Sequence, residues 1–406
     1  MLFHLLWGFS LFIRTNISFI RSIFLTSSKY KCSYAFYHAI APEVLVSSPS
    51  SVGTYSLLDW HYKVISQDRK IIFAHSSPVA DNSNASALLL ESVIPPITSI
   101  NNILIFNVWF IRSLFILIVD LFCLRWPNFL LFPECVKAKA FSLVNKSHLA
   151  EHYMFSNATA LFRPLWTYVA EAIGRDVSLY YYSTNIAPLP FKQQSSFKSN
   201  HSIYLSNWDN IFVWDVYQKN YLESQVLNNP TFIITGPIPF TNSTIAIQNI
   251  PSRTVSLFDV QPMRISRYHK YGIHTDYYTA DTSIQFLSDC IDSIVSLGFN
   301  VAIKPKRPNP RFLHPKYRAY LSSLRCRESV ILVDPSYSAT KLIQSSCATI
   351  SLPFTSTSLI AKYQGIPSCY YDPVNKLKEC LLSSHDITFI TSKNHLTEWL
   401  VLNLSK

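Results

Sequence analysis

With 406 residues, 49% of them hydrophobic and 15% charged, the chain is long enough for two domains and too apolar for a disordered segment or a solvated tail. Its formal net charge of +11 reflects few acids rather than Lys/Arg blocks, so it suits an anionic ligand or an acidic membrane surface and gives no support to a nucleic-acid track. The eight cysteines are scattered without a Cys-x-x-Cys pair, which argues against a disulfide framework and a Cys-based metal site and for a reduced, cytoplasmic compartment.

The first residues, MLFHLLWGFSLFIRTNISFIRSIFL, are apolar, but Arg14 and Arg21 interrupt or follow the apolar run instead of preceding it, which makes a poor secretory signal. Residues 103–124 form a second apolar run, about long enough to span a bilayer. Arg112 and Asp120 fall inside it, at roughly 2.5–3.5 kcal/mol each near the bilayer centre, so the expectation is a buried helix or one lying on the inner membrane surface. Residues 1–150 otherwise resist assignment. Beyond them, LFRPLWTYVAEAIGRDVSLYYYSTN reads as helix then strand, and SIYLSNWDNIFVWDVYQKNYLESQ as strand, strand and helix. TFIITGP is a further strand, before a Pro/Asn/Ser-rich connection at 237–252.

The last third is the most legible. Strands are expected at TVSLFDV, NVAIK, SVILV, ATISL, PSCYY and DITFIT, with helices between them. The first of these helices has Ile284, Leu287, Ile291 and Ile294 on one face and Gly298 as its stop. Short, almost continuously apolar strands alternating with helices specify a parallel sheet of about six strands covered on both faces. Ligands of such sheets bind at the carboxyl ends of the strands. That rule selects the loops beginning at Asp259, Lys304, Asp334, Pro353 and Asp372.

Seven glycines, never at Gly-x-Gly spacing, exclude both the dinucleotide fingerprint and the Walker loop. A phosphate must therefore be met by helix starts, hydroxyls and cations. PFTSTS offers Thr355, Ser356, Thr357 and Ser358 at a helix start, against the ordinary alternative of a plain N-cap. IKPKRP places Lys304, Lys306 and Arg307 at a strand end, against the alternative of a solvated basic turn. His148, Glu151 and His152 match the His-x-x-Glu-His pattern of inverted zinc peptidases, a short pattern with no second acidic helix to complete it. Asp209 and Asp215 stand beside tryptophans, a sugar-stacking arrangement if those rings are exposed and core if they are not.

SLPFTSTSLIAKYQGIPSCYYDP resembles bacterial surface-polysaccharide biosynthesis proteins named after their Pro-Phe-Thr-Ser motif, which are taken to be glycosyltransferases. FRPLWTYVAEAIGRDVSLYYYSTN, NWDNIFVWDVYQKNYL, ITGPI, SLFDVQP and IKPKRP carry the same resemblance, over roughly residues 155–375. It implies an α/β, GT-B-like fold in which two Rossmann-like domains face a cleft. Residues 1–250 would hold the acceptor and 251–392 the donor, and 393–406 would form a terminal helix crossing back to the first domain. It also implies transfer of a sugar from a CMP-, UDP- or GDP-linked donor to a glycan or lipid-linked glycan in capsule or O-antigen synthesis, with no cofactor or bound metal. Thr355 to Ser358, Lys304, Lys306 and Arg307 would then bind donor phosphate, Asp259, Asp334 and Asp372 would line the cleft, and Asp209 would be the general base. The serine-rich helix start is also similar to the phosphate loop of CMP-sialic acid transferases, but the His-Pro dipeptide those carry is replaced after the strand by Lys306-Arg307-Pro308. Two other readings stand beside the transferase: a non-catalytic carbohydrate-binding scaffold, and the zinc hydrolase.

Overall fold

The computed structural model describes residues 2–24, 30, 32–40, 57–66, 70–76, 87–157, 162–184, 186–193, 201–238, 250–270, 277–305, 312–335 and 337–404. Lys306 and Arg307 lie outside them. Two parallel sheets organise the chain. The first contains β1 (Tyr34–His38), β2 (Ile72–His75), β3 (Ala87–Leu89), β4 (His152–Ser156), β5 (Asp176–Tyr180), β6 (Asn210–Val213) and β7 (Thr231–Ile234), in the order β3-β2-β1-β4-β5-β6-β7. The second contains β8 (Thr254–Phe258), β9 (Asn300–Ile303), β10 (Val330–Leu332), β11 (Ala348–Ser351), β12 (Ser368–Tyr371) and β13 (Thr388–Ile390), in the order β10-β9-β8-β11-β12-β13.

Both sheets are doubly wound: the chain builds outward from the first strand on one side, then returns and builds outward on the other. The reversal opens a crevice at the carboxyl ends of β1 and β4 in one sheet and of β8 and β11 in the other. Register fixes these edges, with Tyr37 opposite both His75 and Met154, and Leu257 opposite both Ile303 and Ile350. β8 and β11 are buried along their whole length, as a sheet covered on both faces requires.

The helices of the second sheet follow the sequence closely. α9 (Ala280–Ser296) begins at Thr279, whose hydroxyl accepts from the Thr282 N–H, with Asp281 in the first turn, and it ends before Gly298 at φ 75°. Its inner face buries Leu287, Ile291 and Ile294. After α8 (Ile265–Lys270), α10 (Pro315–Leu324), α11 (Ala339–Gln344), α12 (Ser356–Tyr363) and α13 (Leu381–Ser384) comes α14 (Lys393–Leu404). This last helix packs on α9 and does not follow the expected crossing to the first sheet. Leu396 and Leu400 are buried, Thr397 bonds Ser293 at 3.0 Å, and Lys393 pairs with Asp292 at 3.1 Å. An apolar stripe needs an apolar partner, and α9 supplies it.

Residues 1–150 supply three strands of the first sheet together with α1 (Leu2–Phe24), α2 (Leu57–Val64), α3 (Ile100–Phe122) and α4 (Pro127–Ser142). The remaining helices of this part are α5 (Leu165–Ala172), α6 (His201–Tyr204) and α7 (Val216–Glu223), so SIYL is a helical turn and not the strand expected there. α4 packs on α5 over the sheet, and α1 and α3 pack on α4 as an outer layer. Asp120 of α3 does not face a bilayer: it is buried, accepting from Asn128 Nδ2 at 2.7 Å with Arg125 at 3.8 Å.

Candidate functional site at the second sheet's switch point

The crevice between β8 and β11 gathers three of the sequence-selected loops. β11 ends in Ser351, and the Leu352 N–H still bonds the Phe258 carbonyl at 2.9 Å, which holds the two loops side by side. Phe354 then turns the chain with φ 63°, a left-handed conformation that costs a non-glycine residue roughly 1–3 kcal/mol. Its buried ring holds it there, stacked on Phe389 at 5.7 Å and edge-on to Tyr370 at 5.7 Å, while the Tyr370 hydroxyl donates to the Thr355 carbonyl at 2.8 Å. The turn delivers the chain directly into α12.

The hydroxyls after this turn do different things. Thr355 occupies the N-cap position but makes no cap bond with its side chain: its hydroxyl donates to the Leu352 carbonyl at 3.1 Å. The ordinary N-cap role of Thr355 is thereby excluded, at a helix start where the backbone N–H groups and the dipole favour an anion. The Thr357 hydroxyl lies 2.8 Å from Ser351 Oγ and 3.2 Å from Thr355 Oγ1, at the half-buried mouth of the turn. Ser356 Oγ accepts from both the N–H and the hydroxyl of Thr184, at 3.0 and 3.2 Å, across to the first sheet. Ser358 is fully buried and donates to the Cys369 carbonyl at 3.1 Å. It fixes α12 on β12, so the expectation that it meets a donor is corrected: its hydroxyl points into the sheet.

Asp259 follows β8 and is 5% exposed. Tyr317 of α10 donates to its Oδ2, and Oδ1 is buried with no hydrogen-bond partner among the described residues. Burial pushes its carboxyl up to about 6, against the opposing effect of the Tyr317 bond. A carboxylate held at such a cost beside a cleft is a mark of function. Lys304, at the end of the neighbouring β9, is 9% exposed, and its Nζ donates to the Pro335 and Pro305 carbonyls at 3.2 and 3.4 Å. Burial lowers its pKa, opposed by the nearby Asp334 carboxylate. Asp334 itself is exposed after β10, an edge strand two places from the crevice.

Two of the selected acids are placed differently. Asp372 is fully buried and its oxygens are occupied: Oδ1 accepts from the Tyr277 hydroxyl and the Val374 N–H, and Oδ2 from the Leu377 N–H. It shapes the 372–377 turn, which docks on the first sheet's loops through a Phe191–Leu377 bridge. Asp209 precedes β6, at the amino end of its strand, with its side chain 62% exposed and Arg163 at 3.7 Å. The length of the strand separates it from the carboxyl rim, so it is not among the residues brought together here. The zinc pattern also dissolves. His148 ends a single 3-10 turn (Lys146–His148) and His152 starts β4, so the two do not share a helix face. His152 Nε2 sits 2.7 Å from Ser178 Oγ, and burial lowers its pKa to about 4. Trp208 and Trp214 are both buried, which is the core alternative.

The carboxyl rim of the first sheet faces α12. Besides Thr184 after β5, the Trp214 carbonyl after β6 accepts from the Tyr363 hydroxyl at 3.0 Å. Asp215 caps α7 through the Gln218 N–H at 2.8 Å and receives His385 Nδ1 at 2.7 Å, so one buried carboxylate joins the two sheets. At the first sheet's own switch point stands His38, the last residue of β1, with its ring stacked 4.9 Å from Phe155 of β4. Its Nδ1 is buried with no partner among the described residues, and burial lowers its pKa, with Lys137 acting in the same sense. A neutral ring with a vacant nitrogen can accept a proton. Sequence reasoning missed His38; the aromatic run YAFYH, ending in a polar residue, was the available signal.

A sequence profile described as "Polysaccharide biosynthesis PFTS motif protein" matches residues 109–400. No curated protein matches the chain. Among solved structures, the UDP-GlcNAc 2-epimerase of Methanocaldococcus jannaschii is similar at 11% identity and TM-score 0.45, over 92% of each chain. Os79 from O. sativa is similar at 8% identity and TM-score 0.44, over 91% of this chain and 90% of that one. TarM is similar at 9% identity and TM-score 0.36, over 62% of this chain; the match spans about half of TarM's own length, 47%.

Proposed function

We propose, from the premise that the chain belongs to the polysaccharide biosynthesis PFTS motif family, that it is a glycosyltransferase moving a sugar from a nucleotide-sugar donor to a glycan acceptor. The observation that carries this reading is the start of α12, where Thr355 makes no side-chain cap bond, delivered by a strained turn to the switch point of the second sheet. Backbone N–H groups there, with the Thr357 hydroxyl, suit the diphosphate or monophosphate of a CMP-, UDP- or GDP-linked sugar. Asp259 Oδ1 accepts a hydroxyl of the donor, the partner it otherwise lacks. Lys304 offsets charge on the leaving nucleotide, and no metal or cofactor enters the proposal.

In this reading residues 251–392 hold the donor, and residues 1–250 offer the acceptor, a glycan or lipid-linked glycan of capsule or O-antigen synthesis, in the cytoplasm. His38 is the general base that takes the acceptor hydroxyl proton. The test is thermal unfolding with CMP, UDP, GDP and ADP in turn. A ligand at about 100 times its dissociation constant adds roughly 2.7 kcal/mol to the folded state. One nucleotide is expected to raise the melting temperature, and Thr357→Val with Lys304→Met to abolish the rise. Glycan binding without any nucleotide effect would replace the transferase by the carbohydrate-binding scaffold.

A further inference from the structure

α1 and α3 form an outer layer whose outward surface is exposed among the described residues. α3 seats Ile103, Phe106, Phe110 and Leu117 inward, with Phe110 stacked on Phe12 of α1 at 4.0 Å and near Phe132 of α4 at 5.6 Å. Much of the rest is apolar and exposed, with Arg112 among it: eleven large apolar side chains of α3 and nine of α1 stand open to solvent. Monomeric proteins rarely expose contiguous apolar surface beyond a few hundred Å², and larger patches mark interaction sites. On α1 the exposed Leu6, Ile13, Ile17, Ile20 and Phe24 recur at helical spacing.

Charge identifies the occupant. Beside that apolar row, Arg14, Ser18 and Arg21 repeat at i, i+4 and i+7 and line a cavity of about 730 Å³ between α1, α4 and the 91–97 segment. Lys137 lines it too, paired with Glu134 at 2.7 Å and lying over the Trp7 ring, and Glu91 is the one acid at its wall among the described residues. Pro95, Pro96 and Ile97 line an apolar part of the wall. An apolar helix face edged by cations is the pattern of a helix lying in the interface of an anionic bilayer. α3 is long and apolar enough to cross a membrane, but its inner stripe is committed to α4, whose own inner side is packed on α5 over the sheet.

We infer that α1 and α3 dock the protein flat on an anionic phospholipid bilayer, and that the cavity beside α1 receives a lipid phosphate headgroup between Arg14 and Arg21. The test is flotation of the full chain with phosphatidylcholine vesicles made with and without phosphatidylglycerol. Binding is expected only with the anionic lipid, and loss of binding in about 1 M salt, where the Debye length falls to ~3 Å. Each arginine is worth about 1 kcal/mol near such a surface, so Arg14→Gln with Arg21→Gln lowers partitioning about 30-fold. Both side chains are exposed, so the melting temperature stays unchanged. Ile17→Ser with Phe115→Ser, also on exposed positions, weakens binding through the apolar component. Equal binding to both vesicles would overturn the headgroup site. No vesicle binding by a chain that dimerises would assign the face to a second copy. A phosphate-induced melting rise without vesicle binding would make the cavity a soluble-anion site, and retention after an alkaline wash would mean a spanning helix; each of these overturns the inference.

Discussion

The two sheets share one winding order and put different chemistry at the same topological place. At the second sheet's switch point stand a helix start whose N-cap threonine makes no side-chain cap bond, a second threonine hydroxyl, a buried lysine and a carboxyl with one oxygen that has no partner among the described residues. At the first sheet's stands His38, its ring stacked on Phe155 and its pKa lowered by burial. The first set suits an anion bearing hydroxyls, and the second suits a proton in transit. Topology supplies the two crevices, and the residues at the strand ends differ between them.

The contrast can be broken first at His38. His38→Gln is expected to reduce turnover by 10²- to 10⁴-fold, the usual contribution of a general base, while leaving the nucleotide-induced melting shift intact. Because burial lowers its pKa, the acid limb of the rate profile should fall below the ordinary histidine value. A lost nucleotide shift would instead make His38 part of the donor site.

Asp259 gives the next largest effect, and its sign is opposite to that of a paired carboxylate. Its folded pKa, about 6, lies above the ordinary value of 3.8, so its contribution to stability is complete below about pH 4 and is lost as pH rises through about 6. Asp259→Asn should therefore be more stable than the natural protein at pH 8, by roughly 3 kcal/mol, and equal to it near pH 4. Denaturant unfolding at the two pH values measures this. Loss of the nucleotide shift in the same variant would show stability traded for binding. The smallest effect is at Asp209, where exposure and distance from the rim predict a change within about 0.5 kcal/mol for Asp209→Asn and unaltered turnover. A large loss there would return it to the site.

The second sheet was legible because its strands are short, apolar and bounded by turn residues, so periodicity alone separates them from the helices. Each strand expected between 254 and 392 is present. The first 150 residues resisted because α1 and α3 are apolar around most of their circumference, which removes the amphipathic contrast that marks a helix packed on one side only. β1 escaped for a related reason: Tyr34, Phe36 and His38 face one layer while Ala35 and Tyr37 face another, both apolar, so no alternation marks it.

Among the residues of the proposed site, the hydroxyl loop, Lys304 and Asp259 could be singled out from the sequence, because strand ends in a parallel sheet are where backbone groups and side chains converge on a ligand. The sequence could not separate Ser358, which is buried against β12, from Thr357, which is half-buried with its hydroxyl against Ser351, although both lie in the first turn of one helix. Nor could it tell the partnerless oxygen of Asp259 from the occupied oxygens of Asp372. Those distinctions, with the Thr184–Ser356 and Asp215–His385 bonds between chain segments about 170 residues apart, were decided by tertiary structure alone. Hydrogen bonding is short-ranged and directional, and which oxygen keeps a vacancy depends on neighbours that only the folded chain brings near.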